Sequence, residues 1–333
     1  MAVLGPIGVE QDLSVLVKVE QVSMSFVSSR RIFRKTQTQV EAVKDVTFEI
    51  KEHSTFGLVG ESGSGKSTLG RIIAGLMRPT SGRVLFMDRE ISNHDGIDYD
   101  TRAAIQMIFQ DSFSSFNPRK MIRDSVALPL RVRGGLSKPQ IDDIVLRMLE
   151  NVGISPAVDF ASRYPHELSG GQRQRVSIAR ALVLGPRLVV ADEPVSSLDV
   201  PVKAQILQLL RKTQEESKLS MLFISHDIAT VRLVSHDIAV MYKGRFLEIS
   251  TKDELFSKPM HPYTQLLMAA ELIPDPAAIK KTRMESVNSS SRGSAPSGCV
   301  FFERCPHAME ICREKSPELL AKKPNHFVAC WLY

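Results

Sequence analysis

The segment Gly60-Glu61-Ser62-Gly63-Ser64-Gly65-Lys66-Ser67 constrains this chain more than any other. It matches G-x4-G-K-[ST], the spacing of a loop that wraps a phosphate chain. Its flanks are the ones such a loop needs: Thr55–Val59 is an apolar, strand-length run, and Lys66–Leu76 predicts a helix. The glycines let backbone N–H groups turn inward around an anion. The following helix points the positive end of its dipole at the same place. Gly60, Glu61, Ser62, Gly63, Ser64, Gly65, Lys66, Ser67 and Thr68 are therefore the expected nucleotide-binding residues. Lys66 is expected to reach the β- and γ-phosphates of a nucleotide, and the Ser67 hydroxyl to ligate Mg²⁺. A glycine-rich turn with a chance lysine would lack the strand before it and the helix after it.

A phosphate loop at a strand end asks for a carboxylate on a neighbouring strand. Leu188-Val-Val-Ala191-Asp192-Glu193 ends in two. Asp192 is expected to hold Mg²⁺ through its water shell, and Glu193 to polarise an attacking water as general base. Residues 13–250 alternate strand-like and helix-like stretches, an α/β pattern. Strands are predicted at Leu13–Val22, Val40–Ile50, Ser54–Val59, Ala104–Phe109, Arg187–Ala191, Ser220–Ser225 and Asp237–Tyr242. Between 112 and 185 the strand signal is lost, while Asp142–Asn151 and Gln172–Leu184 carry helical spacing, so a helical insert is expected there. After 250 the composition shifts. Pro274, Pro276 and the serine-rich stretch Ser286–Ser297 predict a linker over 274–297, and a small cysteine-bearing module closes the chain.

Composition removes other classes. With 333 residues, 43% hydrophobic and 24% charged, the chain is not one that stays disordered. A net charge of +6 fits nucleotide, nucleic acid or an anionic membrane surface and selects none of them. No apolar run is long enough to cross a bilayer. The N-terminal stretch carries Glu10 and Asp12 and no basic segment, so no signal peptide is expected and a cytoplasmic location follows.

Four further elements follow the loop in order. They are Gln110 after a strand, Leu168-Ser169-Gly170-Gly171-Gln172, Ser196-Ser197-Leu198-Asp199 after Glu193, and His226 after Met221–Ser225. Together they resemble the ATP-binding cassette (ABC) ATPases across residues 13–250. The resemblance implies a P-loop NTPase with a RecA-like α/β core and a helical subdomain over 112–185. It also implies two cassettes that enclose two ATP molecules head to tail. Ser169, Gly170, Gly171 and Gln172 would then contact the ATP held by the partner cassette, and Asp199 would lie at the seam. A capping serine at a helix N-terminus explains Ser169–Gln172 structurally, and it uses the same geometry. Gln110 would touch Mg²⁺ and the attacking water, and His226 the γ-phosphate. Adenine would stack on Phe26, with Phe33 the weaker rival. Val195 and Ser197 stand where the family often has Thr and Ala; neither is a primary phosphate contact, so hydrolysis is expected to survive.

Ser225-His-Asp-Ile-Ala229 recurs as Ser235-His-Asp-Ile-Ala239, which raises the question of which histidine acts. His226 directly follows an apolar strand, where phosphate-contacting residues sit in α/β folds. His236 precedes the next strand and is expected at the opposite edge of the sheet, as a surface residue.

All four cysteines, Cys299, Cys305, Cys312 and Cys330, lie in the tail. Clustered cysteines in a chain read as cytosolic suggest a metal site before disulfides. Four thiolates can close a zinc site or hold a [4Fe–4S] cluster, and the spacing lacks the paired knuckles zinc favours. Gln110-Asp-Ser-Phe-Ser-Ser-Phe-Asn-Pro118-Arg119, Lys258-Pro-Met-His261-Pro262-Tyr263-Thr264 and the cysteine spacing resemble the oligopeptide/dipeptide importer branch of the ABC ATPases. That resemblance implies a C-terminal extension over 251–333 with an iron–sulfur cluster, zinc being the alternative. It further implies a second ABC ATPase subunit, a paralogue, and two permease subunits docking near Phe113–Arg119. An extracytoplasmic binding protein would deliver peptide or a related solute, and the chain would sit as a peripheral protein on the cytoplasmic face of the inner membrane. The phosphate site is expected to draw nothing from the tail. A rival reading, an ABC-type ATPase acting on nucleic acid or ribosomes, fits poorly. The chain has one cassette, the interval from Lys66 to Leu168 holds little beyond the helical insert, and the tail lacks a Lys/Arg stripe with aromatics.

Overall fold

The computed structural model describes residues 14–28, 38–92, 97–272 and 297–333. Leu13, Phe33, Glu10, Asp12 and all but the last residue of the expected linker over 274–297 lie outside the described residues. Two sheets organise the chain. A four-stranded antiparallel sheet contains β1 (Val15–Ser28), β2 (Thr38–Lys51), β4 (Ser81–Phe86) and β5 (Arg89–Glu90) in the order β2-β1-β4-β5. The larger sheet takes β3 (Thr55–Val59), β6 (Ile105–Ile108), β7 (Leu188–Asp192), β8 (Ser220–Ser225), β9 (Asp237–Tyr242), β10 (Arg245–Thr251), β11 (Leu320–Lys323) and β12 (His326–Val328). Its order is β11-β12-β10-β9-β3-β8-β7-β6.

The centre of the large sheet is parallel: β3 lies between β8 and β9, and β7 between β6 and β8. Every residue of β3, β7 and β8 is buried, as strands covered on both faces must be. Alternate side chains feed two cores. Val59, Met221, Phe223, Ile238 and Val240 face the helices, and Phe56, Leu58, Leu222, Ile224, Ala239 and Met241 face the antiparallel sheet.

Helices α1 (Lys66–Ile73) and α2 (Tyr99–Ala104) precede a strand-free stretch. It holds α3 (Ile122–Arg133), α4 (Lys138–Asn151), α5 (Ala157–Ala161) and α6 (Gly170–Leu182). The predicted helices fall within these bounds to a few residues. Beyond them come α7 (Val200–Ser217), α8 (Ile228–Val234), α9 (Lys252–Ser257), α10 (Pro262–Leu272) and α11 (Glu310–Glu314). Sequence patterning left β4, β5, β10, β11 and β12 unassigned. The last two come from the cysteine module, which extends the large sheet through the β10–β12 pairing.

Candidate nucleotide site

The phosphate loop links the carboxyl end of β3 to the first turn of α1. Gly65 caps α1 at φ +106, and a Cβ there would stand 2.0 Å from the Ala42 carbonyl oxygen, so only glycine fits. The first turn of α1 carries no acidic residue, which leaves its N–H groups and positive dipole end to an anion. Ser62 and Gly63 are exposed, Ser64 is buried, and Glu61, Ser67 and Thr68 are half-buried. Lys66 is 4% exposed. Its Nζ donates to Gly60 O at 2.7 Å, Glu61 O at 2.9 Å and Ser64 Oγ at 3.3 Å. Burial pulls its pKa below the lysine range, and Glu193, Asp192 and Glu61 oppose that pull.

Ser67 Oγ donates to Asp192 Oδ1 at 2.8 Å. Asp192 closes β7 at 2% exposure, and burial pushes its carboxyl up against the Ser67 hydrogen bond. A hydroxyl and a carboxylate converging beside the loop are hard oxygen donors, the set Mg²⁺ takes, so these residues fit that ion. Bound there, Mg²⁺ would neutralise phosphate charge.

Glu193, one residue on, has φ +46, a left-handed conformation that costs a non-glycine residue energy. Its N–H donates to Ile224 O at 2.9 Å, so the end of β8 holds the backbone in place. Its Oε2 accepts from Gln110 Nε2 at 3.1 Å and stands 3.1 Å from His226 Nδ1. Three residues far apart in sequence thus meet at one carboxylate oxygen. His226 is oriented from the next residue: Asp227 caps α8 through Thr230 N at 2.9 Å and pairs with Lys203. Burial raises the Asp227 pKa, but the Lys203 and Thr230 hydrogen bonds outweigh it and hold the group at about 2. Sequence reasoning missed Lys203, because its partner lies on another element.

His236 lies at the opposite edge of the sheet. It is exposed, yet it is more than a surface residue: its Nδ1 accepts from Thr55 N at 2.9 Å, and its own N–H donates to Thr55 O at 2.8 Å. It therefore anchors the start of β3.

The remaining expected residues lie apart from this convergence. Ser169 caps α6 in a reciprocal box. Its Oγ accepts from Gln172 N at 3.3 Å, and Gln172 Oε1 accepts from Ser169 N at 2.9 Å. Gly171 has a packing reason as well, since a Cβ would stand 2.6 Å from Val202 Cγ1. Asp199 caps α7 through Val202 N at 3.2 Å. Phe26, on β1, is 40% exposed.

In the tail, Cys299, Cys305, Cys312 and Cys330 line one narrow cavity with His261, Phe301, Phe302 and Trp331. Burial pushes the Cys299, Cys305 and Cys330 thiols up, Cys305 to about 11. Among the described residues, no group of three or more His, Cys, Asp or Glu side chains is set to hold a metal ion. The four sulfurs share one cavity wall, and among the described residues their arrangement singles out neither zinc nor an iron–sulfur cluster.

The expectation that the phosphate site draws nothing from the tail is corrected. The Glu61 N–H donates to Tyr263 Oη at 3.0 Å, and Arg304 Nη1 donates to Glu61 Oε2 at 2.8 Å. The His-Pro-Tyr element makes the first contact possible. His261 N donates to Glu248 Oε2 at 2.9 Å, and His261 Nδ1 accepts from Tyr263 N at 3.0 Å. Burial pushes His261 down to about 3, which keeps that ring nitrogen an acceptor. Pro262 then opens α10, where its missing N–H costs nothing.

Known proteins resemble this chain in sequence and fold. The ABC transporter family model matches residues 43–196, and the oligopeptide/dipeptide transporter C-terminal region matches 247–312. The chain is 43% identical to the oligopeptide transport ATP-binding protein AppF of Bacillus subtilis, over 96% of this chain and 97% of that protein. It is 41% identical to OppF of Salmonella typhimurium, over 95% and 96%. A dimeric ATP-binding cassette, MJ0796, solved in a post-hydrolysis state with ADP and Pi, superposes at TM-score 0.62. That match is 32% identical and covers 71% of this chain and 99% of that one. No helix among the described residues is long and apolar enough to cross a membrane. With the phosphate loop, the paired carboxylates and the C-terminal extension all present, the chain belongs to the ABC transporter ATPases, in the branch of the oligopeptide and dipeptide transport ATP-binding proteins.

Proposed function

We propose that this ATPase drives uptake of peptides, di- or oligopeptides, or a related solute, through a membrane importer. The observation that carries the catalytic part is the convergence of Gln110 and His226 on Glu193 Oε2, beside the Ser67–Asp192 pair. In this reading residues 60–68 bind the phosphates and Phe26 the adenine. Glu193 takes the proton of an attacking water, Gln110 places that water, and His226 senses the γ-phosphate. Asp192, Ser67 and Gln110 hold Mg²⁺. Ser169–Gln172 and Asp199 complete the site of a second cassette, since a capped and accessible helix start suits the phosphate of another molecule's nucleotide. His226→Ala is expected to lower ATP turnover about 10²-fold, as loss of one preorganised contact to the reacting group does. His236→Ala should leave turnover intact and lower stability by about 0.5–1.5 kcal/mol, the worth of the lost bond to Thr55. Steady-state kinetics with thermal unfolding checks both, and the reverse pattern would exchange the histidines.

The second cassette is a paralogue, the permease subunits dock near Phe113–Arg119, and an extracytoplasmic binding protein supplies the solute. The chain is then peripheral, on the cytoplasmic face of the inner membrane. Phe113 is 56% exposed, consistent with a partner covering it. Co-purification with two permease subunits and a second cassette tests this assembly; recovery with nucleic acid or ribosomes instead would sink it.

The tail is proposed to hold a [4Fe–4S] cluster. Four soft sulfur donors around one apolar-walled cavity suit iron of a cluster. Protein purified without oxygen should carry iron and acid-labile sulfide in near one-to-one ratio, and each Cys→Ser variant should carry less. Stoichiometric zinc without iron after iron-replete growth would overturn the cluster.

A further inference from the structure

We infer that the C-terminal extension clamps the phosphate loop, with Tyr263 and Arg304 as positioning residues that set the affinity for nucleotide. Glu61 follows Gly60 at the start of the loop, and three of its groups are held at once. The N–H is committed to Tyr263 Oη at 3.0 Å, the carboxylate to Arg304 at 2.8 Å, and the carbonyl to Lys66 Nζ at 2.9 Å. Lys66 is the side chain read as reaching the β- and γ-phosphates. A shift of Glu61 therefore moves an acceptor of that lysine and the limb of backbone that must curve around the anion.

The holding groups are packed against aromatic rings. Tyr263 is 1% exposed and packs on Tyr242 and Phe301, with ring centroids 4.8 and 5.3 Å away. Phe301 is also 1% exposed, lies between Cys299 and Cys305 in sequence, and lines the cysteine cavity. The Arg304 guanidinium lies over the Tyr242 and Phe301 rings at 5.7 and 5.8 Å. Tyr242 ends β9, which pairs with β3, the strand that delivers the loop. The clamp thus packs on a ring of the sheet that delivers the loop, and ordering at the cysteines passes through two buried rings to the phosphate site. Coupling of this kind is reciprocal: what the extension adds to nucleotide affinity, bound nucleotide returns as order in the extension.

The two contacts differ in weight. Arg304 and Glu61 are each 42% exposed, so their pair is screened by water and salt. The Tyr263 hydroxyl is a buried acceptor for a backbone donor and carries more.

The test uses the full-length chain, a fluorescent MgATP analogue for Kd, turnover in the assembled transporter, and amide exchange at residues 299–305 with and without nucleotide. Tyr263→Phe keeps the ring cluster and should raise Kd and KM about three- to tenfold, with kcat at saturating ATP nearly unchanged. Arg304→Ala should raise Kd about twofold, with partial rescue by Arg304→Lys. Nucleotide should slow exchange at 299–305 in the wild type and not in Tyr263→Phe. Unchanged Kd in both variants, or nucleotide protection that persists in Tyr263→Phe, overturns the clamp. Because the inference rests on the phosphate-loop reading, Lys66→Ala is measured beside them. If it loses binding while Tyr263→Phe does not, the clamp alone falls; if it binds as wild type, both fall.

Discussion

Glu193→Gln should bind MgATP as the wild type does and hydrolyse it about 10²–10⁴-fold more slowly, the span that a positioned general base contributes. Glutamine keeps the size and an acceptor for Gln110 and His226, and it removes the basicity. The setting argues for a functional carboxylate over a structural one. At φ +46 the residue stores backbone strain, and its N–H is fixed to Ile224 O at 2.9 Å. Its side chain, 10% exposed, receives Gln110 and His226 at 3.1 Å each. A surface acid capping a strand would need none of these. With hydrolysis stalled and binding intact, cassette pairs should accumulate closed around ATP. Turnover by the assembled transporter and nucleotide retention after gel filtration measure the two halves, and near-normal turnover would remove Glu193 from the role.

Glu248→Ala should be the most damaging change outside the nucleotide site. Glu248 and His326 are both 0% exposed, with His326 Nε2 2.7 Å from Glu248 Oε1. The same carboxylate accepts from Met260 N at 2.8 Å and His261 N at 2.9 Å. One side chain therefore ties β10 to β12 and to the entry of α10. Its removal leaves two buried donors and one half-buried donor without an acceptor and should cost about 3–5 kcal/mol, at roughly 1–3 kcal/mol for each orphaned group. Glu254 and Lys323 pair nearby at 2.8 Å, but they are 31% and 43% exposed, and breaking that pair should cost about 1 kcal/mol or less. Urea unfolding and the rate of proteolysis after Ser297 report the difference. Equal effects of Glu248→Ala and Glu254→Ala would contradict it.

What the chain shows locally, it shows early. The phosphate loop was legible because strand, glycines, lysine and helix are contiguous. The buried parallel strands were legible because coverage on both faces demands unbroken apolar runs such as Leu188–Ala191 and Met221–Ile224. Placing His226 and His236 at opposite edges followed from their positions after and before such strands. The short strands of the tail were not legible: Leu320–Lys323 is mostly exposed and carries no alternation. Nor was the left-handed backbone at Glu193, which β8 imposes from outside. Tertiary structure alone decided the contacts of Glu61 with Tyr263 and Arg304, across separations of 202 and 243 residues. A hydrogen bond between distant residues leaves no period in the sequence, because either partner reads as an ordinary surface or core residue until the sheet brings them to one edge.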